Sequence, residues 1–473
     1  MRPAAKLARR IARLVGLVAF VSQSAWAQQA LRDAQAVTAE YVAAALQSNL
    51  ALQGQQLEVQ RAEAALRAAR ARFLPEVALQ ARYTRADGGR NIDVPIGTLF
   101  NPAYQTLNEL LAAQGEPPRF AAIPDTSIPF QREREQDTRL TLRQPLYQPA
   151  IAAGARAQRE LLRGATAAED ALRRQLRRDV TVAYLNWLMA LRAQAVLTAT
   201  REVLDENLRV NESLLRNGRV TEDQVLRART EQLGLQQQQR AATSQVDQAR
   251  HYVNFLLNRE LDTPLEDARV PAFEATGTEP DAAQLLVTAQ SRPELTQAAA
   301  QAAAAKAAQR AARAALLPSL ALGVDAGTQG ESWQFGPGYN FATASLVLSW
   351  KFFDGGANRA ELDRARLAAR RAQLQQDAVA QQVNLEVRQA TDRLAEASES
   401  LSTAEARATA ARSVLRIAER KRDAGSISQV EFLDARNAAT SAELALNVNR
   451  FELLQRRAEL DFAAGDTATP GTP

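Results

Sequence analysis

Cysteine is absent from the 473-residue chain and histidine occurs once. The first absence excludes disulfides, thiolate metal sites, thiol catalysis and a lipidated N-terminal cysteine. The second leaves no material for a multi-histidine metal site or a His-centred catalytic cluster. Glycine (21) and aromatics (5%) are sparse, against a large all-β domain or a glycine-rich nucleotide binder. No catalytic residue, cofactor or metal is therefore expected. The formal net charge of +5 is also misleading, because Arg2, Lys6, Arg9, Arg10 and Arg13 account for all of it. Beyond residue 27, acids and bases are equal in number, so a nucleic-acid partner has no electrostatic basis.

That basic N-terminus is an address. It is followed by a short apolar run, residues 14–21, and then by Ala25-Trp26-Ala27, a small-x-small cleavage pattern. The order is that of a secretory signal peptide cut after Ala27. The run is too short for a membrane anchor, which needs about 18–20 apolar residues. With no other long apolar run, no membrane-crossing helix is expected. A secreted chain without cysteine suits a bacterial periplasm or outer membrane.

What is abundant is Ala, Arg, Leu, Gln and Glu, the composition of long helices and coiled coils. Residues 150–217 have no internal proline, and Leu172, Leu176, Val180, Ala183, Trp187 and Leu191 recur at three- and four-residue steps. Residues 357–423 repeat the style with Leu367, Leu374, Val383, Val387, Leu394 and Leu401. Each would make a helix about 100 Å long, which must pack side by side with others. Trp187 reads as seam packing, and His251 is given no role.

The chain is internally duplicated. Arg67-Ala68-Ala69-Arg70-Ala71 recurs as Arg310-Ala311-Ala312-Arg313-Ala314, and Leu74-Pro75 as Leu317-Pro318. Asn217-Gly218-Arg219-Val220-Thr221 is echoed by Ala424-Gly425-Ser426-Ile427-Ser428. Each half reads helix, strand, loop, strand, long helix, turn, helix. The expected organisation is a first repeat at 28–258, a linker at 259–280, a second repeat at 281–465 and a flexible tail at 466–473. Strands are expected at about 74–83, 138–147, 318–326 and 339–350.

These strands alternate. Val77, Leu79, Leu140, Leu142, Leu320, Leu322, Leu346 and Leu348 fall on one face; Arg139, Thr141, Arg143 and Ser345 fall on the other. One face is thus apolar and the other wet. Residues 84–137, with six prolines from Pro95 to Pro129, read as a long irregular loop with one or two helical turns near Leu107–Leu111. Alternating strands in a secreted chain fit either a soluble sheet packed on helices or a membrane barrel; for the barrel four strands are too few, since closure takes at least about eight. Rotational assembly would supply the rest: two copies give eight strands and three give twelve. The apolar strand face would then meet outer-membrane lipid, and the 84–137 loop would lie outside the cell or over the barrel mouth.

The chain resembles the TolC family of bacterial outer-membrane efflux proteins. The likeness covers about residues 37–465. It rests on the doubled Leu-Pro steps, on Ser349-Trp350-Lys351-Phe352-Phe353-Asp354-Gly355-Gly356 before a long helix, and on Gly425-Ser426-Ile427-Ser428-Gln429-Val430-Glu431-Phe432-Leu433-Asp434-Ala435. The resemblance implies a mainly helical fold in which long hairpins form an α-barrel. It implies a homotrimer whose strands make a 12-stranded barrel in the outer membrane. It also implies a passive conduit for efflux or type I secretion, docked to a periplasmic adaptor protein and an inner-membrane pump. A periplasmic coiled-coil adaptor or scaffold is the alternative, but it would show one hairpin rather than two equivalent halves.

The same resemblance assigns sites. The turns Asn217, Gly218, Arg219, Val220, Thr221 and Gly425, Ser426, Ile427, Ser428 are the expected adaptor-contact tips. Glu431 and Asp434, with Ile427, are the expected periplasmic gate. Ile427 stands where the family pattern often has arginine, and Gln224 where it has an acid, so an ionic lock is missing here. Closure is expected to rest on packing of Ile427, Val430 and Leu433. Tyr147, Trp350, Phe352 and Phe353 fit either an interfacial aromatic belt or packing at the strand–helix junction.

Overall fold

In the computed structural model, residues 31–270 and 281–465 are described. The signal peptide with Ala27, the tail 466–473 and the linker from 271 to 280 lie outside them. Helix α1 (Ala34–Ser48) starts at Asp33, whose carboxylate accepts from the Gln35 amide. Asn49 then starts α2 (Leu50–Ala71), its side-chain oxygen accepting from the amides of Ala51 and Leu52 at 3.0 and 3.2 Å. Before Pro75 the helix stops, since proline disfavours helix in its predecessor. There follow β1 (Glu76–Arg85), β2 (Asn91–Val94), α3 (Ile96–Ala113), β3 (Thr126–Pro129) and β4 (Arg134–Tyr147). The long α4 (Pro149–Arg216) opens on proline, which suits a first helical position, and α5 (Glu222–Leu256) returns from it. The second half runs α6 (Ala282–Ala289), α7 (Pro293–Ala314), β5 (Ser319–Gly330), β6 (Asn340–Ser349), α8 (Ala357–Asp423) and α9 (Gln429–Ala464).

Corresponding helices of the two halves match closely in length: 22 and 22 residues for α2 and α7, 68 and 67 for α4 and α8, 35 and 36 for α5 and α9. Contacts divide the chain into two compact units. The helical unit takes in the described parts of Met1–Gln60, Arg163–Ala300 and Gln373–Pro473. Its main core sets Val180, Tyr184, Trp187 and Leu188 of α4 against Val37 and Ala45 of α1, Leu52, Val253 and Phe451. One stretch of α4 is long and apolar enough to cross a membrane by composition, contrary to the sequence expectation. Those core side chains of α4 are buried against helices rather than left for lipid.

A charged knot closes this unit where α9 ends. Arg292 is buried and donates to Glu294 at 3.0 Å, to Glu386 at 2.8 Å and to the Ala463 carbonyl at 3.3 Å. Arg174 donates to the Phe462 carbonyl at 2.6 Å. Two terminal carbonyls of α9 thus receive cationic donors, which also complement the helix dipole. Burial works to raise the Glu294 carboxyl, but the Arg292 hydrogen bond and the Arg292 and Arg174 charges hold it below the usual carboxylate range.

The second unit, Arg61–Leu162 with Gln301–Ala372, carries an antiparallel sheet in the order β1-β4-β5-β6. Between β1 and β4 the expected irregular loop is largely ordered instead. It contains the 18-residue α3, with Pro102 inside it, and the β2–β3 ribbon. Two asparagines one face apart on α3 explain this. Asn101 accepts from the Ile123 amide at 2.8 Å and donates to its carbonyl at 2.9 Å. Asn108 accepts from the amides of Arg119 and Phe120 and donates to the Phe120 carbonyl at 2.7 Å. The proline-rich return segment cannot form its own ladder, so helix side chains satisfy its backbone. Gly97 permits the approach: a Cβ there would stand 2.2 Å from the Ile123 carbonyl oxygen.

Candidate functional site

Register fixes the strand faces. Val77 pairs with Leu142 and Leu79 with Leu140; across β4, Leu142 meets Val324 and Leu140 meets Ala326. On β5 and β6, Leu320 pairs with Leu348 and Leu322 with Leu346. Directly paired residues of antiparallel strands point the same way. All eight predicted apolar residues therefore share one face. Leu79 is 71% and Leu348 67% exposed on the edge strands, while Leu142, Leu320 and Leu322 of the central strands are half-buried on the same apolar face. Gln144, the polar exception, pairs with Leu322 and spends its amide on the carbonyls of Phe73 and Pro145 at 2.8 and 2.9 Å.

The opposite face carries Arg139, Thr141, Arg143 and Ser345, and also Asp137, Asp325 and Gln80. It is the more enclosed face around β4, where Thr141 is 7% and Asp137 4% exposed. Arg139 donates to Asp137 at 2.9 Å and lies over the Phe341 ring at 5.5 Å. It crosses Gly327, where a Cβ would sit 2.7 Å from the Arg139 Cα. From sequence, Gly327 reads as the start of the glycine-rich connection after a strand ending at about 326, whereas it lies inside β5; Asp137 was passed over. A glycine inside a strand is the available signal of such a close approach.

The two helix turns are alike in backbone. Gly218 (φ +66°) and Gly425 (φ +68°) adopt the left-handed conformation. At each turn a pair of bonds closes the preceding helix: Arg219 to Leu214 with Gly218 to Leu215, and Ser426 to Lys421 with Gly425 to Arg422, all at 2.9 Å. This double bond pattern is the glycine-dependent helix stop. The starts of the next helices differ. Ser428 and Glu431 form a reciprocal capping box, with both bonds at 3.2 Å. Thr221 leaves its helix amides uncapped and turns its hydroxyl to Asp223.

Glu431 and Asp434 are both exposed at the start of α9, and the Glu431 carboxylate is shared with the Ser428 amide. Behind them Phe432 and Leu433 are buried in a cluster with Leu197, Leu204 and Leu235, against which Ile427 packs. Val430 is exposed and takes no part in that cluster, unlike the expectation for it. Asn207 and Gln429, which sequence reading missed, bond to each other at 2.7 Å beside this cluster. Of the aromatics where strand gives way to helix, Phe352 is 85% exposed, and Trp350 and Phe353 before α8 and Tyr147 before α4 are exposed as well. That exposure favours a belt at an interface over internal packing.

Residues 286–466 match the outer membrane efflux protein family. No curated protein matches the chain. Solved structures do, over most of the chain. The outer-membrane channel OprN is 20% identical, covering 91% of this chain and 90% of its own at a TM-score of 0.76. The Campylobacter jejuni CmeC outer membrane channel is 18% identical, over 91% and 86%, at 0.76. The outer membrane protein VceC of Vibrio cholerae is 18% identical, over 91% and 96%, at 0.75. These likenesses give the fold: long helical hairpins joined to a small antiparallel sheet. The second repeat thus matches the outer membrane efflux protein family, and the fold of the described residues is the one found in these outer-membrane channels.

Proposed function

We propose that the protein works as a trimeric, passive conduit through the outer membrane and periplasm, gated at its periplasmic end, in a tripartite efflux or type I secretion system. One observation carries this reading: a sheet with an exposed apolar face and two open edges, β1 and β6, that run in opposite directions. A lone sheet of this kind would leave a row of backbone groups unpaired in lipid, at several kcal/mol each. Pairing β6 of one copy with β1 of the next is antiparallel and repeats by rotation, so the ring closes without an edge. Three copies make twelve strands, and the polar face of Arg139, Thr141, Arg143 and Ser345 becomes the lining.

The turns at Gly218 and Gly425 are the surface offered to a periplasmic adaptor, which links the conduit to an inner-membrane pump. Glu431, Asp434 and Ile427 form the gate. A soluble adaptor or scaffold would need to bury the apolar strand face within its own chain. The test is fractionation followed by electrophoresis. The protein should leave the outer membrane only in detergent, as a heat-modifiable oligomer that conducts in planar bilayers. Recovery as a soluble periplasmic monomer would overturn the proposal.

A further inference from the structure

Gate closure in a chain without arginine at position 427 needs another bond near the turns, and the helical unit holds one. Gln429 is the first residue of α9, two residues beyond Ile427 and two before Glu431. Its side-chain nitrogen donates to the Asn207 Oδ1 of α4 at 2.7 Å. The same oxygen accepts from Asn211 Nδ2 at 3.0 Å, and Asn211 also donates to the Asn207 carbonyl at 2.8 Å. Asn207 is 6% and Asn211 4% exposed, so this oxygen has no bulk water to turn to.

We infer that the relay Asn211–Asn207–Gln429 is the latch of the gate: an uncharged hydrogen-bond chain that holds the first turn of α9 on α4. The inference rests on the conduit reading above and names the residues that position its gate.

The physical case has three parts. The relay is the described side-chain bond between the two hairpins that lies nearest the Gly425 turn. The next ones, Asn437 to Glu231 at 3.2 Å and Thr200 with Thr440 at 3.4 Å, are two and three helical turns further along α9. The Asn207 oxygen accepts from both Gln429 and Asn211, so moving Gln429 away removes one of its two bonds while Asn211 still serves it, and the loss is that of one hydrogen bond. The relay also sits on the apolar cluster of Leu204, Phe432 and Leu433, which keeps water from replacing the lost donor. A neutral bond of this kind differs from an ionic lock in one measurable way. Salt screens an ion pair between exposed groups and leaves a buried amide–amide bond alone.

The experiment uses the full-length purified protein in planar bilayers, as parent, Gln429→Met, Asn207→Leu and the double variant. Both substitutions keep side-chain volume while removing the bond. Each single variant should raise the open-to-closed ratio about two- to tenfold per protomer, the range for loss of one hydrogen bond. The double variant should open no more than the stronger single, because one shared bond is lost in each. The variant-to-parent ratio should be the same at low and high salt, with the heat-modifiable oligomer retained. Amide hydrogen exchange in detergent supplies a reading independent of conduction. Gln429→Met should speed exchange at residues 425–435 and 203–211 together. Additive openings, a ratio that fades with salt, or unchanged exchange at both segments would each overturn the latch. A parent that never conducts would sink the conduit reading instead, and the exchange result would still decide the relay.

Discussion

Two neighbouring residues of β6 offer a direct test of which sheet face meets lipid. Leu346 pairs with Leu322 and is exposed on the apolar face; Ser345 pairs with Gly323 on the polar face. They are one residue apart, so an arginine at either lies at nearly the same depth. Leu346 sits in the middle of the apolar rows that run from Leu320 and Leu348 to Ala326 and Ala342. An arginine there costs about 2–4 kcal/mol at the bilayer midplane. Three copies multiply this to about 6–12 kcal/mol per trimer, comparable with the whole stability of a folded domain. At Ser345 the nearest cross-strand neighbour is a glycine, so the guanidinium has room and water, and the cost should be near zero. The assay is reconstitution into lipid vesicles across a urea series, read by the heat-modifiable oligomer. Leu346→Arg should fail to assemble or shift its midpoint steeply, while Ser345→Arg assembles like the parent. Equal behaviour of the two variants, or the reverse order, would refute the face assignment and with it the barrel.

Four further outcomes follow from named contacts. Glu431→Gln with Asp434→Asn should reduce cation preference and periplasmic-side block by multivalent cations in bilayer recordings, because six carboxylates at a constriction attract cations; glutamine at 431 preserves the capping box, so assembly should be unchanged. Arg292→Ala should destabilise the helical unit by about 1–3 kcal/mol, since it removes charged hydrogen bonds to half-buried Glu294, to Glu386 and to the Ala463 carbonyl while Arg174 stays beside Glu294. In the parent, Glu294 has its carboxyl pKa lowered on folding, so its contribution is complete above the ordinary carboxylate range and is lost as pH falls through that lower folded value; acid titration of helix content in parent and Glu294→Gln checks this. Arg436 is 8% exposed, and burial lowers its pKa, with Glu419 opposing and Arg422 reinforcing that shift. Arg436→Met should therefore raise the thermal midpoint by relieving about 1–3 kcal/mol of uncompensated desolvation, and a fall in the midpoint would show the cation to be compensated.

The repeated elements were legible because each is punctuated locally. Pro75 and Pro318 stop helices whatever surrounds them, and Gly218 and Gly425 end helices by a left-handed turn that other residues adopt at a cost. The strand faces were legible because period-2 alternation survives any choice of partner. Helix α3 was not, for the converse reason. Pro102 and the prolines after it count as breakers in a local reading, while the bonds that hold the segment come from Asn101 and Asn108 to backbone more than ten residues away. The Gln429–Asn207 bond spans 222 positions, and alanine-rich helices give no clue to which polar residues will meet. Gly327 beside β4 belongs to the same class: the glycine is visible, but the Thr138–Arg139 backbone that needs its space is not.

The matched helix lengths then acquire a reason. An α-helix rises about 1.5 Å and turns about 100° per residue, so inserting one residue into α4 would displace and rotate everything beyond it. Within the helical unit α4 is registered twice, by Val180, Tyr184 and Leu188 in the main core and by Asn207 against Gln429 near its end. In α8 Val383 and Val387, packed with Leu285 and Leu460, and Ala418 in the Phe432 cluster do the same. An insertion in either helix would break one register or the other, and a compensating insertion would have to appear in its partner. The β1–β4 connection has no such duty, because β1 and β4 are already paired up to Arg85 and Arg134 before it begins. The sequence that distinguishes the first repeat from the second is concentrated there, as α3 and the β2–β3 ribbon. A single-residue deletion near Gly115 should thus leave assembly and conduction intact. A single-residue deletion in α4 between Leu188 and Asn207 should abolish the relay, since with Leu188 held in the main core Asn207 would face about 100° away from Gln429. Conduction and exchange at residues 425–435 measured on both deletions would decide the point: a deletion in α4 that gates like the parent would mean the two helices are not held in register at all.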